Sequence, residues 1–186
     1  MLILVALILS SQAPNSPADK PLPKGCEYDS HILDLGFEAF DQDMKGGWRA
    51  LARQDGCKEK AADLIQQYRE KYQAIFPLLN WHEAQLRALY GDTKSAIILM
   101  KQSRMGEHDD QFGWNPYVDA TIAFLQNDKP GFLRAKYRLE HLKRPKDWPT
   151  DSEWPQNMGP VAGLWKCFGQ SYEKAYGPTC RPTASP

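Results

Sequence analysis

The sequence predicts an all-α protein of three stacked helix-turn-helix hairpins, closed by a Pro/Trp-rich C-terminal cap. Three observations carry that prediction. Apolar residues recur at helical spacing from about residue 36 to residue 143. Turn residues break that pattern at near-constant intervals. The 14 prolines crowd the two ends, which marks the ends as extended or turn-rich and leaves the middle free for helices.

In chain order, the first element is an apolar leader. Leu2-Ile3-Leu4-Val5-Ala6-Leu7-Ile8-Leu9 is uninterrupted. Two small-x-small sites follow it, ending at Ala13 and at Ala18. This is the layout of a secretory signal peptide over residues 1–18, too short for a permanent membrane anchor, which takes about 20 residues. Pro14 directly follows the first site, and the second moves the cut to Asp19. Residues 19–30, with Pro21, Pro23 and Gly25, read as an extended linker.

The helical region spans residues 31–143. Phe37, Phe40, Met44, Trp48 and Leu51 lie on one helical face, interrupted by Gly46-Gly47, where a kink or break is expected. After the turn Gln54-Asp55-Gly56 comes a second stripe of Ala61, Leu64, Ile65, Tyr68 and Tyr72. Pro77 and Asn80 open a helix with Trp81, Ala84, Ala88 and Leu89 on its apolar face. Gly91-Asp92 ends it, and Asp92 or Thr93 caps the next helix, which carries Ala96, Ile97, Leu99 and Met100. Asn115-Pro116, read as an N-cap and a first helical residue, begins the third unit, with Tyr117, Ala120, Thr121, Phe124 and Leu125 facing inward. Asn127-Asp128 turns the chain into a helix carrying Phe132, Ala135, Leu139 and Leu142. Each of these helices leaves an apolar stripe that it cannot bury alone, and stacked hairpins bury all of them.

The turns at Gly56, Gly91 and Asn127 are 35 and 36 residues apart. Five positions after each stands Ala61, Ala96 or Phe132, the first core position of the returning helix. With Trp81, Gly91-Asp92 and Ala96-Ile97 in place, this stretch resembles the tetratricopeptide-repeat family, whose period is 34 residues. The resemblance covers about residues 36–143 and implies architecture: stacked hairpins whose first helices line a groove.

Residues 144–186 form the expected cap. Trp148 and Trp154 sit among Pro145, Pro149, Pro155 and Pro160, as in a segment packed over the end of the stack. Short helices are expected around Val161–Phe168 and Tyr172–Tyr176. The four cysteines, an even number behind an export signal, predict disulfides. The pairing that closes the smaller loops is Cys26–Cys57 and Cys167–Cys180. A metal site is disfavoured because zinc-type sites use cysteines two to four residues apart, and none are so spaced here.

Charge and motif narrow the function. Lys plus Arg equals Asp plus Glu at 23 each, which argues against charge-driven binding to nucleic acid, although a net count does not see local clusters. The nucleophile elbow, the phosphate-binding loop and the zinc-protease motif are missing, and no cofactor is indicated. His108-Asp109-Asp110 reads as a solvated loop rather than a cation site. The expectation is therefore an exported, periplasmic or secreted, non-enzymatic module that binds a peptide or protein partner. Its groove candidates are His82, Glu83, Arg87 and Tyr90 on one first helix, with Arg49, Arg53 and Asp119 from its neighbours. An immunity-type inhibitor of an exported toxin or enzyme is the first alternative. A hydrolase acting on envelope material is the second, with His82 and Glu83 as its test positions.

Overall fold

The computed structural model describes residues 25–73 and 76–181, and every regular element in them is helical. The leader, linker residues 19–24 and the last five residues lie outside the described residues. Eight α-helices run in order: α1 (Gly47–Ala52), α2 (Lys58–Tyr72), α3 (Pro77–Tyr90), α4 (Thr93–Gln102), α5 (Trp114–Leu125), α6 (Lys129–Glu140), α7 (Met158–Lys166) and α8 (Tyr172–Tyr176). A 3-10 turn at Ser30–Asp34 and a π-turn at Glu38–Gln42 precede them.

The turns follow from backbone chemistry. Gly56, Gly91 and Asn127 all take left-handed φ values, +77°, +102° and +55°. Glycine adopts this region without strain, and asparagine adopts it more readily than most residues. The latter two turns share one geometry. The amide of Asp92 donates to the Arg87 carbonyl at 2.8 Å, and that of Asp128 to the Ala123 carbonyl at 2.8 Å. Each aspartate then caps the following helix, accepting from Ser95 N at 3.1 Å and Gly131 N at 2.9 Å. At the first turn Cys57 occupies the cap position without a side-chain cap bond, and is tied to Cys26 instead.

Consecutive helices pack against one another from α1 to α6, and α3 divides the interior. Leu79 and Leu86 join Phe40, Leu51, Leu64, Ile65 and Tyr68 in an N-terminal core. Trp81, Ala84 and Ala88 join Tyr117, Phe124, Phe132, Leu139 and Leu164 in a second core. The cap closes the second core: α7 packs on α5 and α6. Trp148 and Trp154 stack edge to face, and Trp154 Nε1 donates to the Leu142 carbonyl at 3.1 Å. Helix α8 reaches beyond the last hairpin and packs on α3. Both disulfides form, with Cα atoms 5.4 Å apart for Cys26–Cys57 and 5.9 Å apart for Cys167–Cys180. Loops of this size stabilise by about 3 to 4 kcal/mol each in the chain-entropy account.

Three expectations need correction. The stripe from Phe37 to Leu51 is not one face of a helix: the chain breaks between the π-turn and α1, leaving Met44 69% exposed. The cause is Gly47, whose φ is +51° and where an added Cβ would sit 1.9 Å from the Phe40 carbonyl oxygen. Tyr72, at the end of the second stripe, is exposed. Asn115 is not the cap of α5. The Asp110 carboxylate accepts from the amides of Trp114 (2.6 Å) and Asn115 (2.8 Å). The Asn115 side chain is buried instead and bridges the amide and carbonyl of Met105 at 3.0 Å each.

Candidate functional site

The residues expected in one groove fall into three places. The first is a cluster around Asp41, which the π-turn presents next to the core residue Phe40. Asp41 is fully buried. Its Oδ1 accepts from Trp48 Nε1 of α1 at 2.8 Å and lies 2.7 Å from His82 Nδ1 of α3. In that contact Nδ1 donates to the carboxylate, and Nε2 lies 3.5 Å from Arg49 Nη2. Arg49 also donates to the Asp41 carbonyl, and its guanidinium lies 4.2 Å above the Trp48 ring. Burial pushes the Asp41 carboxyl up, but the hydrogen bonds from His82 and Trp48 and the charge of Arg49 outweigh it and hold the group below its ordinary value. Burial in turn lowers the Arg49 pKa.

This cluster forms one wall of a cleft of about 340 Å³ between α1, α3 and α8. The apolar floor comes from Trp48, Leu86 and Leu89, with Met44 at the mouth. Arg49, Arg53 and Lys58 supply positive charge at the rim. Arg53 donates to the carbonyls of Met44 and Lys45 and has no ion-pair partner among the described residues. Lys58 pairs with Glu173 of α8 at 2.8 Å. Tyr176, also from α8, closes one end: its hydroxyl accepts from Gln85 Nε2 at 2.9 Å and shares a 3.0 Å hydrogen bond with the Tyr117 hydroxyl. Among the described residues no Ser, Thr or Cys lines this cleft.

Glu83, Arg87 and Tyr90 form the second group, and here the expectation of an open groove face is corrected. Glu83 is 2% exposed. One carboxylate oxygen accepts from Arg69 of α2 at 3.0 and 2.8 Å, and the other accepts from Arg87 Nε at 2.8 Å. Arg87 is buried too and donates to Gln66 Oε1 at 2.8 Å and to the Tyr90 hydroxyl at 2.7 Å. Burial alone lowers the Arg87 pKa, but the Glu83 carboxylate and Tyr90 raise it further than burial lowers it. The i, i+4 spacing of Glu83 and Arg87 puts both on the α3 face that α2 covers, so their charge is consumed inside the chain. Asp119 is the third place: it lies on α5, clamped between Arg104 and Arg138, in a separate groove.

Gln85 and Tyr176 line the cleft and Asp41 lies buried behind its wall, and none of the three was expected at the site from the sequence. Asp41 meets His82 across 41 residues and Tyr176 meets Gln85 across 91, separations at which no local pattern reports contact.

Comparison with family models, with curated proteins and with solved structures finds no match to this chain. What stands on the structure itself is an all-helical chain whose four cysteines are all paired, a state that belongs to an oxidising compartment. Among the described residues no helix is long and apolar enough to cross a membrane.

Proposed function

We propose that this is a periplasmic or secreted interaction module of tetratricopeptide-like hairpins, without catalytic activity, whose α1/α3/α8 cleft takes a peptide segment of a protein partner. The observation that carries the reading is the cleft's composition: an aromatic and aliphatic floor of Trp48, Leu86 and Leu89 beside Arg49 and Arg53. Tryptophan and arginine are the side chains that most often dominate binding energy at protein interfaces. The chemistry that fits is a carboxylate next to an apolar side chain. The carboxylate meets the guanidinium of Arg53, which is held against two backbone carbonyls, and the apolar group enters the cleft.

The Asp41 network supports this reading as preorganisation. It locks Trp48, Arg49 and His82 before any ligand arrives, which lowers the entropy lost on binding. Selection from a random peptide display library on the immobilised protein tests the reading. Enriched peptides are expected to carry Asp, Glu or a free C-terminus beside Leu, Phe or Met, and to be lost on Arg53→Glu. Selection that yields no peptide sensitive to Arg53→Glu would contradict it.

One observation favours a second reading. Asp41 orients His82 as a carboxylate orients a general base, which suits the envelope-directed hydrolase. Turnover of peptide, ester or glycan substrates that disappears in His82→Gln, with the helical fold intact, would move the assignment there.

A further inference from the structure

A second groove lies between α4, α5 and α6 and shares no lining residue with the cleft at α1 and α3. Its volume is about 870 Å³. Ile122 and Ala123 form the floor, while Leu133 and Tyr137 of α6 stand at its edge, 44% and 60% exposed. Four cations surround it: Lys101 of α4, Arg104 just beyond, and Arg134 and Arg138 of α6. Two carboxylates face the same space, and both are engaged. Asp119 accepts from Arg104 and from Arg138, the latter at 2.6 Å, and Asp128 caps α6 at Gly131 N. Lys101 and Arg134 have no ion-pair partner among the described residues. Four cations less two carboxylates leave two unanswered positive charges in this groove, in a chain whose formal net charge is zero.

The geometry points to this groove as the docking site for an acidic segment of another protein. Two of the segment's carboxylates meet Lys101 and Arg134, and an apolar side chain lies on Leu133 and Tyr137. Charge complementarity chooses the acidic partner, since opposite potentials steer encounter and fix register. The exposed leucine and tyrosine choose a peptide over a polyphosphate, which brings no apolar side chain to cover them. Tyr137 is moreover already stacked on His141, ring centroids 3.8 Å apart, so that face is not free to stack a nucleobase. This docking site is independent of the cleft and does not need that cleft to bind anything.

Fluorescence anisotropy with a fluorescein-labelled peptide alternating Glu or Asp with Leu is the test, alongside its Gln/Asn analogue. Binding to the full chain is expected to weaken at least about tenfold in Lys101→Glu/Arg134→Glu and about tenfold for the amide analogue. In the charge-matched control Lys94→Glu/Lys143→Glu, at exposed positions outside the groove, the change should stay within about twofold. Leu133→Ser/Tyr137→Ser provides a second readout at exposed positions and should also weaken binding. The proposal is overturned if the acidic peptide does not bind, if the amide analogue binds equally, or if the control loses as much as the groove variant. It is also overturned by tighter binding of a single-stranded oligonucleotide at the same residues. A wild-type dimer that dissolves in Lys101→Glu/Arg134→Glu would give the groove to a second copy of this chain and overturn it too.

Discussion

The two faces of α3 are built from different materials. On the side of α5 and α7 the interior is aromatic. Trp81 meets Tyr117 with ring centroids 4.7 Å apart, and Phe132 meets Phe168 and Trp165. On the side of α1 and α2 a smaller apolar core is bordered by two buried charge networks, one centred on Asp41 and one on Glu83. Aromatic packing stabilises through area removed from water, with a further contribution from ring geometry. Buried ions contribute little net stability, because desolvation offsets attraction, but each fixes the orientation of several side chains. The aromatic half thus reads as the half that holds the fold. The charged half holds side chains in place beside a cleft.

Substitutions on the two sides should break in different ways. Phe132→Ala, at a fully buried position, is expected to destabilise by about 3 to 5 kcal/mol in denaturant unfolding. Glu83→Gln should cost about 3 kcal/mol, because it removes the buried carboxylate that Arg69 and Arg87 share and leaves Arg87 only the more distant Asp63, at 3.4 Å. The contrast sharpens when the whole network is removed: Arg69→Met/Glu83→Met/Arg87→Met should be less destabilised than Glu83→Gln, whereas a second truncation in the aromatic core should only add to the loss. If the triple change is worse than the single, the charge network is a source of stability and the division between the halves fails.

The Asp41 network adds a pH signature. Its carboxyl titrates lower in the folded chain than the ordinary value of 3.8, so its contribution is full above that value and is lost as pH falls through the depressed folded one. Thermal melts from about pH 7 down to about pH 2 should therefore show Asp41→Asn less stable than wild type at neutrality, with the gap closing only in acid. A gap that stays constant to the lowest pH would remove Asp41 as the charged centre of the site.

Features set by local chemistry were readable in the sequence. Gly56, Gly91 and Asn127 marked the turns because each provides a left-handed backbone position, and the cysteine pairing followed from choosing the smaller loops. The break before α1 was visible as Gly46-Gly47. Its extent was not, since it depends on the approach of Gly47 to the Phe40 carbonyl. The misreading of Glu83 and Arg87 has a general cause. A helix between two neighbours is covered on two faces, and α3 buries apolar residues toward both, with Glu83 and Arg87 beside Leu79 and Leu86 on the side of α2. From sequence, a polar stripe paired to α2 looks the same as a solvated one. Arg49, Arg53 and His82 do come together, but Asp41, which holds Arg49 and His82, reaches His82 only through the fold.

The claim at the centre of this account is that the cleft between α1, α3 and α8 is a preorganised binding site for an acidic, apolar-flanked peptide. Titration calorimetry of a display-selected peptide against wild type, Arg53→Glu and Asp41→Asn tests it most directly. The account predicts at least about tenfold weaker binding to Arg53→Glu, about 1.4 kcal/mol, and a smaller loss for Asp41→Asn that is mainly entropic. Equal affinity for all three, with their helical content unchanged, would contradict it.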